Sequence, residues 1–108
     1  MIKKILLLSL LFLSIDAAVA QSDVIANQVS LAEQVAMYPN PAVNKIQISN
    51  ETKNSLNVVV YNILGDAMLS KRISGDNNQI DITSLQAGIY IVSFTDGKRT
   101  TTKRLVKN

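Results

Sequence analysis

The sequence predicts a small all-β sandwich of about six to seven short antiparallel strands. Three observations lead there. From Val43 onward, apolar residues recur with a period of two, the spacing that puts alternate side chains on one face of a strand. The apolar runs are short and separated by Gly-, Asn- and Asp-bearing turns at spacings of about 8–12 residues, the rhythm of a sandwich. No segment there holds a helical period for long, and β-branched residues dominate.

Taken in order, "KIQIS" puts Ile46 and Ile48 on one face, with Lys45, Gln47 and Ser49 on the other. "NETKNS" reads as a polar loop. "LNVVVYN" carries Leu56, Val58 and Val60 on one face and Val59 and Tyr61 on the opposite one, so both faces are apolar, as in a central strand. "NILGD" is a short turn in which Gly65 supplies a positive φ. "AMLSKRI" carries Lys71 and Arg72, charges suited to a sheet edge. "SGDNNQ" reads as a loop, "QIDI" as a short strand with Ile80 and Ile82 inward, and "TSLQAG" as a tight crossing that buries Leu85. "GIYIVSFT" sets Tyr90, Val92 and Phe94 against Ile89 and Ile91. "TDGK" is a hairpin turn of the Asp-Gly type, and "RTTTKRLVKN" is a last strand ending in charges. The expected core is Ile46, Ile48, Val58, Val60, Ile82, Leu85, Tyr90, Val92 and Phe94.

The N-terminal part is of another kind. Lys3 and Lys4 precede the apolar run Ile5–Ile15, and "AVA" at Ala18–Ala20 is a small-x-small cleavage pattern. The run is too short to span a bilayer, which takes about 20 apolar residues, and Asp16 follows it. Residues 1–20 are therefore expected to be a signal peptide, with no cysteine at the cut that would mark a lipoprotein. Residues 21–37 are expected to be a loose leader or linker, because their scattered apolar residues form at most a marginal helix. The domain is expected to start at Tyr38. Both prolines of the chain, Pro39 and Pro41, flank Asn40 there. They fix φ and remove two donors, which predicts a stiff, non-pairing strap ahead of the first strand.

Composition excludes much chemistry. With no His and no Cys, most metal sites and the Ser-His-Asp and Cys-His nucleophile systems are not available. No disulfides can form, so packing must hold the domain. Asp66, Asp76, Asp81 and Asp96 each sit in or beside a turn, where Asp acts through its own backbone hydrogen bonds. "SGDNNQ" lacks the acidic spacing of a calcium loop, and the triplet Asn50-Glu51-Thr52 reads as turn composition rather than a glycan acceptor. No Gly-rich phosphate loop is present. Removing Lys3, Lys4 and Asp16 takes the net charge from +3 to +2, too balanced to imply nucleic acid. The chain reads as non-enzymatic, with no cofactor.

The motifs form an ordered set: "YPNPA", "KIQI", "VVVYNILGDAM", "IDITSLQAGIYIVSF" and "DGKRTTTKRLVKN". This set closely resembles the type A C-terminal sorting domain of the Bacteroidetes type IX (Por) secretion system, over Tyr38–Asn108. Asn62 stands where that family commonly has Asp, a change that keeps turn-forming character. The resemblance implies an Ig-like sandwich that folds in the periplasm after signal-peptide export. It implies recognition by an outer-membrane translocon and delivery to the cell surface or the medium. It further implies removal by a sortase-like peptidase, with attachment of the processed product to lipopolysaccharide. Carried over by position, it assigns translocon recognition to Lys103, Arg104, Leu105, Val106, Lys107 and Asn108. It assigns motif roles to Tyr38, Pro39, Asn40, Pro41, Gly65, Leu85, Gly88 and Tyr90. From the residues alone, Pro39, Asn40, Pro41 and Gly88 read as purely structural.

The tail also carries a direct expectation. Lys103, Arg104 and Lys107 bracket Leu105 and Val106 on an exposed last strand. Such charges guard an edge and leave backbone groups free for a receptor to pair with. Only Gln21–Met37 stands between the cleavage site and the domain, which leaves three readings: a stand-alone adaptor, a carrier of a short peptide, or a piece of a longer protein. The alternative classes are a small Ig-like adhesion module and a fibre subunit. Aromatic residues make up 5% of the chain, too few for a stacked carbohydrate platform.

Overall fold

The computed structural model describes residues 29–108. The expected signal peptide and the leader as far as Gln28 lie outside them. One short helix, α1 (Leu31–Gln34), precedes seven strands: β1 (Val35–Tyr38), β2 (Lys45–Asn50), β3 (Leu56–Asn62), β4 (Ala67–Ile73), β5 (Asn77–Asp81), β6 (Gly88–Thr95) and β7 (Thr100–Lys107). They form a three-stranded sheet in the order β1-β2-β5 and a four-stranded sheet in the order β4-β3-β6-β7. Every strand pairing within the two sheets is antiparallel.

Alternation explains the packing. Ile46 and Ile48 from one sheet meet Leu56, Val58, Val60, Val92, Phe94 and Leu105 from the other, all essentially removed from water. Every residue that patterning assigns to the core is buried. β3, apolar on both faces, is an interior strand, and β4, with its Lys-Arg pair, is an edge. Tyr90 is buried with its hydroxyl donating to the Gln86 carbonyl (2.6 Å), which satisfies the one polar atom of that side chain.

Three expectations need correction. The leader was read as loose through Met37, but Ser30 caps α1 through its side chain, and Val35–Tyr38 pairs with Gln47–Asn50 as β1. Leu31 and Val35 are thereby buried, so the folded unit begins ahead of Tyr38. Local pattern hid this because "VAMY" alternates poorly and its partner lies beyond the prolines. Second, the end of "SGDNNQ" is not loop: Asn77–Gln79 pairs with Gln47–Ser49. Third, the proline segment does pair, since Ala42 bridges Lys107 on β7.

Asn50, one of two buried polar residues among those described, explains the loop after β2. Its Oδ1 accepts from the Thr52 N–H (3.0 Å) and hydroxyl (2.6 Å), and its Nδ2 donates to the Asn54 carbonyl (2.9 Å). An amide so committed is a turn anchor, in keeping with the turn reading of Asn50-Glu51-Thr52.

Candidate functional site

β7 forms because "TTTKRLVK" is rich in β-branched residues and pairs along its whole length with β6. Its alternation sorts the tail residues into two sets. Leu105 and Lys107 face inward and are buried, and Leu105 pairs across to Tyr90. The Lys107 ammonium donates to the Asn108 carbonyl (3.1 Å). Lys103 is half-buried and its ammonium donates to the Ala32 carbonyl of α1 (3.3 Å). Arg104 and Asn108 are exposed, and Val106 is half-buried. The six tail residues are thus not one exposed stretch: Arg104, Val106 and Asn108 present their side chains outward.

The strap after β1 closes this strand's free edge. Residues 39–44 leave the first sheet, run along β7 and return into β2. Asn40 donates its Nδ2 to the Arg104 carbonyl (2.7 Å), and its Oδ1 accepts from the Val106 N–H (2.9 Å). Ala42 then donates its N–H to the Val106 carbonyl (2.9 Å) and accepts from the Asn108 N–H (2.8 Å). Ala42 is fully buried and forms a parallel bridge with Lys107. The prolines have no N–H to offer, so Asn40 supplies the donor and acceptor from its side chain instead. The Tyr38–Pro39 and Asn40–Pro41 peptide bonds are both cis. The edge from the Arg104 carbonyl to the Asn108 N–H is therefore occupied, which overturns the expectation of free backbone groups there.

The other singled-out residues gather at the same end of the sandwich. Gly88 pairs with Lys107, Tyr90 with Leu105, and Asn62 with Tyr90. The turn after Asn62 holds Gly65 at φ +93°, a conformation that suits glycine. Asn62 Oδ1 accepts from the Leu64 and Asp66 N–H groups (both 2.9 Å), so Asn serves this turn well. Tyr38 is half-exposed at the end of β1, and Leu85 is buried beneath the crossing to β6. Strap, glycine turn, Gly88, Tyr90 and tail make one pole, which no spacing in the sequence reveals. Sequence reasoning missed Ala42, the second anchor of the strap.

Electrostatics at this pole are simple. Among the described residues the one salt bridge is Arg99–Asp96 (3.1 Å), in the β6–β7 hairpin at the opposite end. N–H donation from Arg99, then from Lys98, holds the Asp96 carboxyl at about 2. The Thr83 hydroxyl and N–H lower the Asp81 pKa in the same way. Arg104 has no salt-bridge partner among the described residues. A cleft of about 270 Å³ opens between β4 and β5, lined by Val58, Val60, Leu69, Lys71 and Ile80 among others, away from the tail. Among the described residues no cluster of three or more metal-ligating side chains occurs, and no helix is long and apolar enough to cross a membrane.

The family described as "secretion system C-terminal sorting domain" matches residues 36–108, which takes in the strap, both sheets and the tail. The chain belongs to the family of secretion system C-terminal sorting domains. This sorting domain is 36% identical over 67 residues to the endo-acting ulvan lyase of Formosa agariphila, covering 61% of this chain and 13% of the lyase. It is 34% identical over 74 residues to beta-agarase D of Zobellia galactanivorans, covering 68% of this chain and 15% of the agarase. The chain thus spans only a small part of the length of these relatives. A solved structure of PorZ, an essential bacterial surface component of the type IX secretion system of Porphyromonas gingivalis, shares the fold. The TM-score is 0.57 at 16% identity, over 77% of this chain and 12% of PorZ.

Proposed function

We propose that this sorting domain is a non-catalytic address, read by the type IX outer-membrane translocon through the tail Lys103–Asn108. In this scheme residues 1–20 carry the chain across the inner membrane, the sandwich folds in the periplasm, and the translocon delivers the protein to the surface or the medium. A sortase-like peptidase then cuts ahead of the domain, and lipopolysaccharide attachment retains the product. The observation that carries the reading is the family match over residues 36–108, which spans the whole sandwich up to the last residue of the tail. The burial and pairing of α1 and β1 support a cut ahead of Leu31, since proteolysis favours backbone free of such structure.

The test is a periplasmic reporter fused ahead of Gln21–Asn108, expressed in a host with this secretion system. Surface exposure of the reporter should be lost when Lys103–Asn108 is deleted. Equal exposure with and without the tail would sink the sorting role.

A further inference from the structure

The outer face of the four-stranded sheet is divided in two. Toward the β6–β7 hairpin it presents Asn57, Ser70, Arg72, Ser93, Thr95 and Thr102 around a half-buried Val59. Toward the strap and tail it turns apolar. Tyr61 stands opposite Ile91, Ile91 opposite Arg104, and Ile89 opposite Val106. Met68 adjoins from β4, with its sulfur 3.6 Å from the Asn62 amide. Ile89 is 42% exposed, Ile91 38% and Met68 45%. The Asn62–Asp66 turn beyond them lifts Ile63 and Leu64 into solvent at 75% and 82%. None of these side chains is buried in the core, and contiguous exposed apolar residues of this kind mark interaction sites.

We infer that this face is the surface on which the translocon receptor docks, a protein partner presenting apolar side chains and a carboxylate that meets Arg104. The inference rests on the sorting role proposed above. Two features choose the occupant. First, the patch is continuous with the two outward tail side chains, Arg104 and Val106, so a receptor that reads the tail also covers Ile89 and Ile91. Second, Arg104 lacks a salt-bridge partner among the described residues while standing beside apolar neighbours, and a carboxylate brought there is partly desolvated and bound strongly. A second copy of the chain fits less well, because a two-fold contact centred here would bring Arg104 close to its own counterpart. Asn40 and Ala42 determine the direction of approach. They occupy the β7 edge from the Arg104 carbonyl to the Asn108 N–H, so a partner that reads Arg104 and Val106 meets the sheet face-on and does not add a strand along that stretch.

The experiment uses the reporter fusion described above, carrying Ile91→Asp, Ile89→Asp or Arg104→Glu, with Ser93→Asp and Thr102→Asp as controls on the polar half of the same face. Surface delivery should fall about tenfold or more in the first three, as for a contact at an interface hot spot, and should stay at the parent level in the controls. Thermal melts of the same variants read folding separately. If an aspartate variant melts early, Ile91→Thr decides, since it keeps strand preference and removes the apolar contact. Parent-level delivery of Ile91→Thr and Arg104→Glu, with delivery still blocked by deletion of Lys103–Asn108, would overturn the docking face and leave the sorting role standing. Delivery that survives the deletion as well would overturn both. Concentration-dependent dimerisation abolished by Ile91→Asp, with export unaffected, would assign the face to a second copy and also overturn the inference.

Discussion

Asn40 commits both ends of its side-chain amide to the last strand, donating to the Arg104 carbonyl and accepting from the Val106 N–H. Asn50 does the same for its own loop, from a buried position. In Asn50→Ala the Thr52 N–H and hydroxyl lose their acceptor, and the Asn54 carbonyl keeps only the Thr52 hydroxyl (3.3 Å). Removal of buried hydrogen-bonding groups costs about 1–3 kcal/mol each, and urea denaturation should show a loss of that order. Asp96 gives a pH-dependent counterpart. Its carboxyl titrates at about 2 when folded because the Arg99 and Lys98 N–H groups stabilise the anion. Its contribution is therefore full above the ordinary carboxylate range and lost as pH falls from about 4 toward about 2. Side-chain NMR should find its midpoint near the lower value, and Asp96→Asn should flatten the acid limb of the stability curve. The turn around Asn50 was legible, but its burial and the grip of Asn40 on β7 were not. A polar residue's burial depends on which distant backbone groups reach it, and alternation carries no information about that. Apolar residues differ: Phe94 and Val92 were assigned to the core from their period alone, and both are fully buried.

At the scale of elements, β2, β3 and β6 were legible because each has a clean inward set bounded by turn residues. β1 was not, since its pairing joins Val35–Tyr38 to Gln47–Asn50 across the strap. A chain that starts at Tyr38 should accordingly be less stable than one that starts at Val29. It loses the burial of Leu31 and Val35, at about 1.5–3 kcal/mol for each side chain, and chemical denaturation of the two products measures the difference. The strap gives a second expectation. In Asn40→Ala the Val106 amide loses its acceptor, so its hydrogen exchange should accelerate while amides of the β3–β6 pairing stay protected. Uniform acceleration across both regions would mean that the strap holds the whole fold rather than the tail alone.

For the molecule as a whole, the fold class followed from composition and rhythm, but the gathering of motifs at one pole did not. Strap, glycine turn and tail are spread from Tyr38 to Asn108, and only the sheet order β4-β3-β6-β7 brings their ends together. That arrangement also has a mechanical side. The chain upstream arrives at α1, where Lys103 donates to the Ala32 carbonyl, and continues through β1 into the strap fastened along β7. A pull on the preceding chain while the tail is held therefore runs through α1, β1 and the strap directly into β7. Of the remaining chain, β2 and β6 share that load through their pairings with β1 and β7, and β3, β4 and β5 are loaded only through them. Drawn between residue 29 and residue 108 in an optical trap, the domain should yield first by a short extension as α1 and β1 peel away and the strap detaches, with the remaining sandwich rupturing in a later, separate event.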